Sequence, residues 1–180
     1  MKTPSDEELM LAVGKGDLTA FEQIVLRHQK SAWGIAYRFI GNRATADDVA
    51  QEAFLRILDA AERYRPTARF RTYLYSVVTR LCFDHARKKR PASVDDLSAV
   101  SESCPSPPDA AVSRERDVAV REALDALRPN QRMATVLRYY EGLSGREIAA
   151  AMEVSPKAVE RLLARARTVL AELLKDLLEK

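Results

Sequence analysis

Side chains able to carry out covalent chemistry are few in this 180-residue chain, and their spacing does not suit it. Its two histidines, His28 and His85, lie far apart in sequence, and His28 falls on an apolar helix face where a satisfied boundary histidine is expected. Cys82 and Cys104 offer neither a disulfide framework nor metal-ligand spacing and read as structural. No glycine-rich loop cradles a phosphate. The reading therefore assigns no catalytic residue, no metal and no cofactor. What remains is the chemistry of recognition: charged and aromatic side chains arrayed along helix faces.

Three arrays stand out. Near the C-terminus Lys157, Arg161, Ala164, Arg165 and Thr168 share one face at helical spacing, opposite an apolar stripe. Cations so placed on the second helix of a helix-turn-helix can meet phosphates and base edges in a major groove. In the middle, Tyr73, Ser76, Arg80, Asp84 and Arg87 lie roughly opposite Phe70, Leu74, Val77, Val78 and Leu81, and Lys88-Lys89-Arg90 extend the charge. Rings that stack on bases beside cations that hold phosphates suit single-stranded or melted nucleic acid. The third array, Asp48, Gln51, Glu52, Leu55 and Asp59, is an acidic strip with one exposed leucine, a surface for a basic protein partner. Each array also admits a plainer reading as a solvated helix face or, for the aromatics, as core.

The elements that must position these arrays are all helical. Gly is scarce, with 6 residues, and 47% of the chain is hydrophobic, so the expected fold class is all-α. Apolar spacing from Phe21 to Ile40 predicts a helix packed on two sides and stopped at Gly41-Asn42. Thr45-Ala46-Asp47-Asp48 resembles the start of a second helix running to about Tyr64, with Val49, Ala53, Phe54, Ile57 and Ala61 inward. After Pro66 a further helix runs from Phe70 to Lys89. Residues 91–111 hold four of the chain's 8 prolines and show no helical stripe, which predicts a flexible linker between domains 1–90 and 112–180. In the second domain Val120, Leu124 and Leu127 form one stripe, and Met133, Val136, Leu137 and Tyr140 another, closed by Gly142. Ser144-Gly145-Arg146-Glu147 is a capping box, Glu153-Val154 a turn, and Ser155-Pro156 a second helix start. The last helix is expected to bury Val159, Leu162, Leu163, Ala166, Leu170 and Leu173.

Charge is concentrated: residues 65–90 carry 8 basic and 1 acidic side chains, although the net charge of the whole chain is only +3. That block points to a local anionic partner. The N-terminal MKTPSDEELM lacks a signal-peptide pattern, and no apolar run approaches the roughly 20 residues of a membrane span. A cytoplasmic protein without membrane insertion is expected.

In this order and spacing the motifs resemble the sigma factor family. Asp47-Asp48-Val49-Ala50-Gln51-Glu52-Ala53-Phe54-Leu55 is similar to that family's polymerase-binding helix. Phe70-Arg71-Thr72-Tyr73-Leu74-Tyr75 and Asp84-His85-Ala86-Arg87-Lys88-Lys89 are similar to its promoter-melting, minus-10 segment. Leu137-Arg138-Tyr139-Tyr140-Glu141-Gly142-Leu143-Ser144 and Glu147-Ile148-Ala149 are similar to its minus-35 helix-turn-helix. The economy of two domains resembles the extracytoplasmic-function group.

The resemblance implies that Asp48, Gln51, Glu52 and Leu55 dock on core RNA polymerase. It implies that Phe70, Tyr73, Arg80, Asp84, Arg87, Lys88 and Lys89, with the loop at 65–69, serve the minus-10 element. Arg146, Lys157, Arg161 and Arg165 would hold the minus-35 duplex of promoter DNA. It further implies an anti-sigma inhibitor wedged between the domains, and no catalysis by the chain itself. The chain departs from the family's usual Trp at Tyr73 and Asn at Arg80, and from Lys-Ser-Arg at Glu160-Arg161-Leu162, which leaves its promoter sequence open. Two rivals remain at this stage: a regulator using only the helix-turn-helix, and a sigma-like decoy that captures an anti-sigma factor.

Overall fold

The computed structural model describes residues 3–88 and 109–175, with backbone alone for 109–116. Lys89, Cys104 and the linker up to residue 108 lie outside the described residues. Those described form eight α-helices and one 3-10 turn, with no strand among them: α1 (Asp6–Val13), α2 (Leu18–Ile40), α3 (Arg43–Asp59), a 3-10 turn (Ala61–Arg63), α4 (Phe70–Lys88), α5 (Asp109–Asp125), α6 (Pro129–Tyr139), α7 (Gly145–Met152) and α8 (Pro156–Leu173).

Local chemistry sets most boundaries. Asp17 accepts from the Ala20 N–H and starts α2 three residues before the apolar spacing shows it. Gly41, in the left-handed region at φ 84°, ends α2. The α3 cap is Asn42, accepting from Thr45 N–H at 2.9 Å, so Thr45 is already inside the helix and Asp47 and Asp48 lie a turn beyond it. That helix stops at Asp59, and the chain reaches Tyr64 through the 3-10 turn. Helix α5 opens at Asp109, three residues before the expected domain start. The Ser144–Glu147 capping box and the Ser155 cap followed by Pro156 form as expected.

Two stripe positions are corrected. Tyr140 is 43% exposed because α6 ends at Tyr139 and the side chain turns out to meet Arg38, whose guanidinium lies 4.1 Å above the ring. Leu173, at the end of α8, is 52% exposed; only Val159 and Ala166 of that helix are fully buried.

One continuous core runs from Leu9 to Val159, with α2 and α4 of the first unit against α6 and α7 of the second. Helix α4 carries a second buried face that apolar spacing does not show. It includes Thr72 and Tyr75, and Tyr75 donates from its hydroxyl to Glu141 Oε2 at 2.7 Å. Arg132 spans the units: it donates to the Leu124 and Asp125 carbonyls at the end of α5 and to the Phe39 carbonyl of α2, the last at 2.8 Å. Arg121 donates to the Tyr37 hydroxyl at 2.6 Å and to the Gly41 carbonyl. A smaller cluster, Leu124, Leu127 and Ala166 with Val120, Val169 and Leu170, ties α5 to α8.

Candidate nucleic-acid and partner interfaces

The acidic strip stands on α3 because the opposite side of that helix is committed to the core through Val49, Ala53, Phe54 and Ile57. Asp48, Gln51 and Asp59 are exposed, and Leu55 is 48% exposed among them. Glu52 is half-buried and accepts from Arg56 Nε at 2.7 Å, an i,i+4 pair that fixes its carboxylate beside Asp48 and Asp59, which stay exposed. The strip thus sets a half-exposed leucine among three carboxylates on the solvent side of α3.

On α4 the predicted residues divide. Phe70 is fully buried and cannot reach nucleic acid in this arrangement; its side of the helix is the core side. Its ring instead supports others, with centroids 6.3 Å from both Tyr64 and Tyr73. Tyr73 is half-buried against Tyr64 at 5.6 Å, and burial holds its phenol above the ordinary range. Asp84 pairs with Arg87, and Lys88 is exposed. Arg80 is exposed but pairs with Glu153, the left-handed residue (φ 55°) at the turn between α7 and α8.

The helix-turn-helix forms from α7, the turn at Glu153-Val154, and α8. Lys157, Arg161 and Arg165 are exposed along α8, as is Arg146 on α7. Glu160 is exposed in the same stretch. Thus the structure keeps the four cations on one helical pair and presents them to solvent.

Packing brings the first unit's cations against the second unit's acids. Glu147 lies 3.9 Å from both Arg69 and Arg71. The Ser144 backbone N–H and hydroxyl, at 2.9 and 2.8 Å, hold the Glu147 carboxyl below its usual range, and Arg71 and Arg69 add to this. A shallow cleft joins Arg69 and Thr72 to Ser144, Arg146 and Glu147. The sequence marks Glu147 as a cap and Glu153 as a turn but gives no sign that these, or Glu141, Tyr75, Arg121 and Arg132, meet the other unit; only the small polar period Thr72, Tyr75, Thr79 on α4 hints at a second packed face.

Cys82 is buried, and burial pushes its thiol up to about 12. Thiolate is therefore nearly absent at neutral pH. Cys82 is expected to resist alkylation in the native protein and to react fully in denaturant, as mass spectrometry of the Cys82 peptide would show. Equal labelling in both states would refute its burial. Among the described residues no cluster of His, Cys, Asp and Glu could hold a metal, and no helix is long and apolar enough to cross a membrane.

Residues 24–92 match the family model for Sigma-70 region 2, and residues 117–170 that for Sigma-70 region 4. The RNA polymerase sigma-H factor of Pseudomonas aeruginosa is 31% identical over 186 residues, covering 97% of this chain and 96% of that protein. The ECF RNA polymerase sigma factor SigW of Bacillus subtilis is 32% identical, covering 92% of this chain and 94% of that one. Among solved structures, that of CnrH in complex with the cytosolic domain of CnrY is similar at TM-score 0.75 and 27% identity, over 96% of this chain and 99% of that one. The sigma factor RpoE bound to the anti-sigma factor NepR from Bartonella quintana shares the fold at TM-score 0.69 and 18% identity.

Proposed function

Because the chain belongs to the sigma-70 family and is a sigma factor of the extracytoplasmic-function type, we propose the following division of labour between its two units. Residues 1–90 dock core RNA polymerase and capture the minus-10 element, and residues 112–180 hold the minus-35 duplex. The observation that carries this reading is the outward acidic strip on α3 in the same unit as the aromatic and cationic face of α4, with the exposed cations of α7 and α8 in the other.

Asp48, Gln51, Glu52 and Leu55 form the docking face. Tyr73, Arg80, Asp84, Arg87, Lys88 and Lys89, with Arg65 and Arg69 of the preceding loop, take the unstacked bases and phosphates of the non-template strand. Phe70 contributes from below, as the support of Tyr73. Arg146, Lys157, Arg161 and Arg165 fix the upstream duplex. The chain acts in the cytoplasm by binding and by stabilising melted DNA, without catalysis of its own. An anti-sigma factor is its expected inhibitor.

Run-off transcription on genomic DNA fragments with purified core polymerase tests the whole reading. Discrete transcripts that need this chain are expected; none would sink the sigma reading in favour of a decoy. Within that assay, Arg165→Ala is expected to weaken promoter binding. It should also lower the steepness of the salt dependence by about one counterion, because a phosphate contact releases roughly one. An unchanged slope would remove Arg165 from the duplex interface.

A further inference from the structure

The residue before helix α4 is Arg69, whose side chain has only donors and so offers the first N–H of the helix no acceptor. That N–H finds one 63 residues away: Phe70 N–H donates to Glu7 Oε1 of α1 at 2.8 Å. A carboxylate at that point also faces the positive end of the helix dipole.

The neighbouring residue secures the arrangement. Asp6 accepts from Arg27 Nη1 at 2.8 Å and pairs with His28 Nε2 at 2.7 Å, which bolts α1 to α2. Arg27 Nη1 also donates to the Pro4 carbonyl at 3.0 Å. The His28 ring, so held, lies 5.3 Å from the ring of Phe70. At its far end α1 approaches the 3-10 turn so closely that a Cβ on Gly14 would stand 2.6 Å from the Ala61 carbonyl oxygen. Two adjacent acids thus converge on one residue: Glu7 fixes the backbone of Phe70, and Asp6, through His28, fixes its ring. Phe70 in turn packs on Tyr64 and Tyr73.

We propose that Glu7, held in place by the Asp6 clasp, is a positioning residue for promoter melting, setting the first turn of α4 as its remote N-cap. The register of Phe70 determines where Tyr73 and the cationic face beyond it are presented to unstacked bases. This rests on the minus-10 role proposed for α4. Alanine at Glu7 leaves the first turn uncapped, and the aromatic platform loses its fixed geometry while the α3 docking face is untouched.

The test uses full-length holoenzyme carrying wild-type, Glu7→Ala or Glu7→Gln chain. Three quantities are measured: core affinity, capture of a single-stranded non-template oligonucleotide from a promoter mapped by run-off transcription, and opening of that promoter followed by a fluorescent base analogue. Glu7→Ala is expected to lower capture and opening about five- to tenfold, the scale of a lost helix cap, with core affinity unchanged. Glu7→Gln keeps an acceptor oxygen and is expected to recover most of the loss. Capture and opening by Glu7→Ala at wild-type levels would overturn the proposal. So would a parallel loss of core affinity, capture and opening in both variants, since that marks a general folding role. A wild-type holoenzyme that captures no strand fails differently, for it sinks the minus-10 role of α4 itself.

Discussion

Replacing Asp48 and Glu52 together by alanine is expected to weaken capture of core polymerase roughly a hundredfold. Truncating one member of a hydrogen-bonded interfacial charge pair costs about 2–5 kcal/mol, most of it from the stranded partner. The fold should not register the change. Both residues lie off the buried stripe of Val49, Ala53, Phe54 and Ile57. The one pair lost, Glu52 with Arg56, is an exposed i,i+4 contact of the kind worth about 0.3–0.5 kcal/mol. Titration of labelled core enzyme with each chain, alongside circular dichroism, separates the two effects. Core affinity equal to wild type would eliminate α3 as the docking face.

The second large effect concerns the contact between the units. Where Arg80 pairs with Glu153, the guanidinium proposed to meet the non-template strand is already occupied, so strand capture competes with this contact and is expected to be favoured when the units part. Replacing Glu141 by Ala and Glu153 by Lys is expected to drive that parting. The Tyr75 hydroxyl loses its carboxylate acceptor and keeps only the Ser31 hydroxyl beside it, so the cost lies toward the low end of the roughly 1–3 kcal/mol of a buried donor left unsatisfied. The Arg80 pair, exposed and so worth about 1 kcal/mol or less, becomes a repulsion of similar size. Together these shift the closed-to-open ratio by roughly thirtyfold. A rise in the distance between fluorophores on α3 and α8 of the free chain is the direct readout. Stronger binding of a single-stranded oligonucleotide should accompany it. An unchanged distance would show that the shared apolar core alone holds the units together.

Much of this molecule is legible along the chain because the forces that write it are local. Helix periods, the Ser144–Glu147 box, the Ser155-Pro156 start and the Gly41 stop each involve residues within four positions of one another, and all appear where expected. The outward acidic strip and the exposed cations of α7 and α8 are legible for the same reason: an apolar stripe on one side of a helix fixes what faces solvent on the other. One departure is equally local. Asn42 was a better cap than Thr45 because its side chain reaches the third N–H of the helix while its own backbone stays extended.

What the sequence by itself determined is therefore most of the helices from α2 onward, the caps at Ser144 and Ser155, and the order of three recognition faces; α1 and the Asp17 and Asn42 caps were not among them. The tertiary structure alone decided how those faces are used. It made Phe70, already on the apolar face, the support of Tyr73, placed Glu153 over Arg80, and capped α4 from α1. The physical reason is common to all three. Each depends on a partner distant in the chain, His28 for the Phe70 ring and Glu153 and Glu7, more than 60 residues off, for the other two, side chains that serve as well on a solvated face as in a contact. No local period marks such a residue until the fold brings its partner to it.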